Sequence, residues 1–175
     1  MKKTLIVRIG EGLGNQLFMY ANAYSLSKRF GYSLYVDDES GFSKNKRSRS
    51  YNLNFFDIPE QLCPEQLKFN NFIKNYKRKL LKFIDNFISN KKFIIEEVDK
   101  NKQTRFQEIS KLGSFQMFIE GHFESELYFK DYEKDLKKIL RIKYDLINKD
   151  NLYINQIKQS NSVSIHLRKN RFSED

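Results

Sequence analysis

The sequence predicts an α/β fold, a parallel sheet flanked by helices, and three observations predict it. A short apolar strand, a glycine-rich turn, an amphipathic helix and a second strand follow one another over residues 3–36. A strand followed by a helix recurs over residues 115–140, and an alternating segment closes the chain at 162–168. Strands alternating with helices are the signature of parallel pairing, because a parallel neighbour needs a crossover connection.

Residues 3–8 form the first strand, mostly apolar and therefore buried on both sides. Gly10, Gly12 and Gly14 make the turn that follows. Asn15 opens a helix with Leu17, Tyr20, Ala21 and Tyr24 spaced i, i+3, i+4, i+7, and Arg29 and Gly31 close it. Residues 33–36 are the second strand, ending at Asp37 and Asp38.

A basic loop occupies residues 41–50, and the aromatic stretch 51–58 is expected to tuck back onto the core. Residues 65–90 carry large apolar side chains among many lysines and read as helical. An ordinary core-packed helix is the expectation there; a surface helix on anionic lipid is the alternative. Residues 93–98 and 115–120 are further strands. Ser125 caps a last helix whose inner face is Phe129, Tyr132, Leu136, Ile139 and Leu140. The polar stretch 148–161 is the expected domain seam.

The 175 residues suit one core with the start of a second lobe. No apolar run reaches the roughly 18 residues of a bilayer span, and the N-terminus reads as a strand rather than a signal peptide. The expected location is cytoplasmic, with peripheral contact at the inner membrane face as an option. Two histidines and one cysteine do not support a zinc cluster. Cys63 is expected to be a small buried apolar residue. The net charge of +10 and isoelectric point near 9.5 suit nucleic acid, anionic lipid or a phosphate-bearing substrate, or reflect an AT-rich coding bias.

Two places carry candidate chemistry. The glycine turn lets backbone N–H groups approach an anion at a helix start, worth about 0.3 to 1 kcal/mol, or it is simply a tight turn. A dinucleotide fingerprint lacks its third glycine, Asn15 standing there, so a dehydrogenase is a minor reading despite Asp37 and Asp38. In 162–168, alternation turns Ser164, His166 and Arg168 to one face, and a guanidinium offers forked donors to phosphate. The basic loop at 44–49 reads as solvated rather than as a nucleic-acid contact. His122 sits in a loop between strand and helix cap, suited either to ligand or to structure.

Three segments, in order, resemble the bacterial α-1,2-fucosyltransferases, glycosyltransferase family 11. Ile9-Gly-Glu-Gly-Leu-Gly-Asn-Gln-Leu-Phe-Met-Tyr-Ala is similar to the family's Gly-Gly-Leu-Gly-Asn-Gln-Leu-Phe-Gln-Tyr-Ala. Glu120-Gly-His-Phe-Glu-Ser-Glu-Leu-Tyr-Phe resembles Gly-Tyr-Phe-Gln-Ser-Glu-x-Tyr-Phe, with His122 and Glu124 in place of tyrosine and glutamine. His166-Leu-Arg-Lys-Asn-Arg171 resembles the donor motif His-x-Arg-Arg-Gly-Asp. Lys169 there loses the planar fork of arginine, and Arg171 stands where the family has an acid, which points to a different donor contact or a divergent subgroup.

The resemblance implies a GT-B-like enzyme of two facing Rossmann-like lobes, inverting and metal-independent, with GDP-fucose as donor substrate and no other cofactor. Residues 1–157 would be the N-terminal lobe and 158–175 the first strand and donor loop of an incomplete C-terminal lobe, the chain being a fragment that needs the missing lobe for a full site. Implied partners are the nucleotide-sugar donor and a glycan acceptor, lipid-linked as one option; nucleic acid is not among them. Implied roles are Arg168 in catalysis, and Gly12, Gly14, Asn15, Gln16, His166 and Lys169 in donor binding. Glu11 is a weak choice for the base. The expected product carries L-fucose in α-1,2 linkage to a galactoside of a bacterial surface polysaccharide. The alternative is an inactive remnant or a non-catalytic acceptor- or membrane-binding module.

Overall fold

The computed structural model describes residues 2–43, 49–59, 61–97, 105–143 and 152–165. The chain divides into two units, Met1–Arg141 and Ile142–Asp175. In the first, four parallel strands form one sheet: β1 (Thr4–Arg8), β2 (Ser33–Asp37), β3 (Phe93–Ile95) and β4 (Gln116–Glu120). Their order is β2-β1-β4-β3. The two central strands are near-continuous apolar runs, Leu5-Ile-Val in β1 and Met117-Phe-Ile in β4, as strands covered on both faces must be. The α/β parallel-sheet expectation is therefore met.

Alternation sorts those runs into two cores. Leu5, Val7, Met117 and Ile119 face helix α1 (Leu13–Phe30), whose Met19, Tyr20, Ala23 and Leu26 fill that side. Ile6 and Phe118 face the other way, against Cys63, Phe69 and Phe93. Leu53 and Ile58 join the first core, so the stretch 51–58 does tuck inward. Helix α1 ends as expected: Gly31 adopts φ 70° and returns its N–H to the Ser27 carbonyl, with Lys28 and Arg29 in the last turn.

Three expectations need correction. The segment 65–90 holds a 3-10 turn, Glu65–Leu67, and helix α2 (Phe72–Asp85), capped by the Asn71 side chain on the Lys74 N–H at 2.9 Å. It is not core-packed: α2 buries only Asp85, and its sole hydrophobic residue on the core is the partly buried Leu81. The helix expected after Ser125 breaks into 3-10 turns Glu126–Tyr128 and Lys130–Tyr132 before helix α3 (Glu133–Ile139), because Phe129 between them is non-helical at φ −136°, ψ 9°. Last, the final segment shows no strand among its described residues, and Val163 and Ile165 are exposed. Residues 163–165 pair with none of the four sheet strands, and their exposed backbone is left to water. Helix α4 (Leu152–Lys158) belongs to the second unit and lies within the stretch 148–161. Strand β3 stops at Ile95; beyond it the Glu96 N–H still donates to the Glu120 carbonyl at 3.0 Å, Glu97 lies outside the strand, and Val98 lies outside the described residues.

Candidate functional site

From β1 the chain crosses through α1 to β2 on one side, whereas β4 and β3 lie on the other. Loops leaving β1 and β4 therefore part, and a crevice opens at their carboxyl ends. A cleft of about 290 Å³ occupies that position, lined by Arg8, Gly10 and Glu11 after β1, Gly41 after β2, Glu96 after β3, and Glu120 with Gly121 and His122 after β4. Among the described residues, the two non-glycine positions with left-handed backbone are Glu11 (φ 64°) and Phe123 (φ 54°). Each sits in a loop bordering this cleft, where such strain recurs at ligand sites.

Charge in the cleft is organised around Glu120. Its carboxylate accepts from Arg78 at 2.6 Å and from Lys82, both on α2. Burial alone would push its carboxyl up, but the Lys82 hydrogen bond and the Arg78 charge hold it below the usual carboxylate value. Arg8 ends β1 on the same face. Its Nη2 donates to the Ser40 carbonyl at 2.6 Å, while its buried Nε has no partner. Burial, then the neighbouring Arg78 charge, lowers Arg8 from its usual value, with Glu120 and Asp37 opposing. Among the described residues no carboxylate lies in ion-pair contact with Arg8, so its charge is available to an anion in the cleft.

The walls are held rigidly. Glu96 accepts two adjacent N–H groups, of His122 at 2.6 Å and Phe123 at 3.0 Å, which fixes the loop after β4. Gly121 is required there: at φ 153° a Cβ would meet that of Glu96 at 2.3 Å. On the opposite wall a Cβ at Gly41 would stand 1.8 Å from the Ile9 carbonyl oxygen. The loop carrying Gly41 is fastened by Asp37, which accepts from the N–H groups of Glu39 and Ser40, and by Ser40 Oγ, which accepts from the Phe69 N–H at 2.7 Å. Behind it Lys68 Nζ, almost wholly buried, meets Asp38 at 2.9 Å, Glu39 at 2.5 Å and Glu65 at 3.1 Å. Burial works against the ammonium charge, and the three carboxylates overcome it, raising Lys68 far above its ordinary value.

The residues singled out from the sequence fall into three groups. Gly12 is the N-cap of α1, Gly14 and Asn15 lie in its first turn, and none of the three lines the cleft, which the turn reaches through Gly10 and Glu11. Gln16 is fully buried; its Nε2 donates to the carbonyls of Glu11 and Ser50, each at 2.9 Å, and its Oε1 accepts from the Asn52 N–H at 2.9 Å. It ties the glycine turn to the segment after the basic loop. His166, Arg168 and Lys169 lie outside the described residues. Glu11 pairs with Arg49 at 3.0 Å. Asp37 and Asp38, the acids a dinucleotide reading would use, are engaged by the loop and by Lys68. Cys63 is buried as expected, and burial, with Asp37 nearby, pushes its thiol up to about 12.

Sequence reasoning passed over Arg8, Glu96 and Glu120. Their signal is a charged residue at or just past the carboxyl end of an apolar strand, where a side chain leaves the core and enters the crevice.

An all-parallel sheet with a polar cleft where its strand order reverses makes this a Rossmann-like α/β protein, a class that binds ligands in that crevice. Along 94% of its length, at 28% identity over 171 residues, the chain is similar to an alpha-1,2-colitosyltransferase of Escherichia coli. It spans 54% of that protein's length. No family model matches the chain, and no solved structure does.

Proposed function

We propose that the chain belongs to a sugar transferase that moves a deoxy sugar, fucose or colitose, from a GDP-linked donor to a glycan hydroxyl. An acceptor oxygen bonds to the anomeric carbon while the bond to the diphosphate breaks, the diphosphate leaving with the electron pair and the acceptor proton passing to a base. The observation that carries this reading is the similarity to a transferase along 94% of the chain. The cleft supports it, because a buried arginine at a strand end suits an anionic donor. So do the three segments resembling fucosyltransferases, which favour GDP-fucose and α-1,2 linkage to a galactoside of a glycan acceptor.

In this reading Arg168 stabilises the charge growing on the diphosphate, and His166 and Lys169 bind the same group. Gly12, Gly14 and Asn15 offer backbone and amide donors from the facing turn, whose shape Gln16 maintains. Two cationic side chains meet the leaving group without a metal.

Titration calorimetry of the chain with GDP-fucose and GDP-colitose tests the reading. Saturable binding of one donor is expected, unchanged by EDTA and weakened about tenfold or more in Arg168→Ala, as expected for a charge-assisted pair. No binding of either donor overturns it in favour of a non-catalytic module.

A further inference from the structure

Helix α2 is built inside out. With about 100° between successive residues, Phe72, Ile73, Tyr76, Leu80, Phe83 and Ile84 fall within an arc of about 120°. All six are exposed, Phe72 at 88%, Ile73 at 79% and Tyr76 at 67%. The opposite side holds the helix to the protein through polar groups. Arg78 and Lys82 grip Glu120, and the Asp85 carboxylate accepts from the N–H groups of Lys92 at 2.7 Å and Phe93 at 2.9 Å. Turning the apolar stripe inward would break these contacts and leave the buried Glu120 carboxylate without either cation, so the outward orientation is fixed by the fold. Phe87, just past the helix, extends the stripe and stacks edge-on against Phe83 at 5.1 Å.

Charge identifies what covers the stripe. On the same spacing Lys79 borders the arc on one side and Lys77 on the other, both exposed. Within α2, Asp85 is the single carboxylate, and it is buried. A second copy of the chain would bring lysines against lysines, and a protein partner would need acidic groups placed on both margins. A bilayer of anionic phospholipid offers both requirements together, an apolar interior for the stripe and phosphates at the level of the flanking ammonium groups. Among the described residues no helix is long and apolar enough to cross a membrane.

We propose that α2 is an interfacial helix by which the N-terminal unit docks on an anionic membrane surface, Phe72, Tyr76, Phe83 and their neighbours entering the acyl boundary and Lys77 and Lys79 contacting lipid phosphate. Because Arg78 and Lys82 join α2 to Glu120, the docked helix lies beside the cleft. The inference rests on α2 alone and not on the transferase reading.

Co-sedimentation with vesicles tests it. The chain is expected to pellet with vesicles of phosphatidylcholine mixed with phosphatidylglycerol and to stay in solution with phosphatidylcholine alone. Phe83→Glu, at an exposed position, should weaken partitioning about tenfold or more. Lys77→Glu combined with Lys79→Glu should weaken it by well over tenfold, at about 1 kcal/mol for each lysine. The chain has no tryptophan, so Phe83→Trp supplies a reporter whose emission should shift to the blue only with the anionic vesicles. Equal pelleting with both lipids, no pelleting, or a vesicle-free dimer abolished by Phe83→Glu would each overturn the proposal. A flat vesicle result beside saturable donor binding would reject docking and leave the transferase reading in place.

Discussion

Helix α1 buries ten of its eighteen residues, Gln16, Asn22, Ser25 and Ser27 among them, whereas α2 buries one of fourteen, and that one is Asp85. The two helices lie on opposite faces of one sheet. Helix α1 is sandwiched between the sheet and the segments 51–58 and 123–140, so almost every side of it meets protein and polar residues are buried along with its apolar face. Helix α2 shows strong contrast, but its charged side meets the protein. Amphipathic spacing therefore reports that a helix has two environments without reporting which of them is the core.

The comparison is open to direct attack, starting where the effect is greatest. Leu26→Ala in α1 removes a wholly buried side chain from the first core and should cost about 3 kcal/mol in urea unfolding. A loss under about 1 kcal/mol would mean α1 is not the packed helix described.

Glu120→Gln should cost about 2 kcal/mol, because Arg78 and Lys82 would keep their charges without the carboxylate between them. Its pH dependence follows from the lowered carboxyl of Glu120. A carboxylate depressed in the folded state stabilises fully above the unfolded value of about 4.3 and loses that contribution as pH falls through the folded value. Thermal melts of wild type and Glu120→Gln should thus differ most near neutrality and converge below about pH 4. A constant gap would show that the pair does not anchor α2.

Asn22, fully buried in α1, leaves both amide atoms without a hydrogen-bond partner. Asn22→Leu should raise stability by about 1 kcal/mol, since an unpaired buried amide carries its full desolvation cost. Destabilisation would reveal a polar role for that site.

The smallest change is expected in α2. Phe83→Ala, at a phenylalanine left largely in solvent, should shift stability by less than about 0.5 kcal/mol while lowering vesicle binding. A core-sized loss would return the helix to the ordinary packed class.

Much of the first core was readable because its signals are local. Apolar runs at 5–7 and 117–119, glycines at 10, 12 and 31, and the spacing in 17–24 each act over a short stretch of chain. The break at Phe129 was not readable, since a continuous helical spacing over 125–140 gives no hint that its backbone leaves the helical region between two short turns. Nor was the cleft itself: Arg8, Glu96 and Glu120 stand at or just past the ends of their strands, but only strand order brings them together.

By itself the sequence determined a parallel α/β sheet, the limits of α1 and the two-sided character of α2, since backbone geometry imposes periods of two and 3.6 on any buried surface. Tertiary structure alone decided that α2 turns its aromatic side to solvent. That choice depends on Glu120, which is 42 residues from Arg78 and 38 from Lys82, and a hydrophobic period carries no information about so distant a charge.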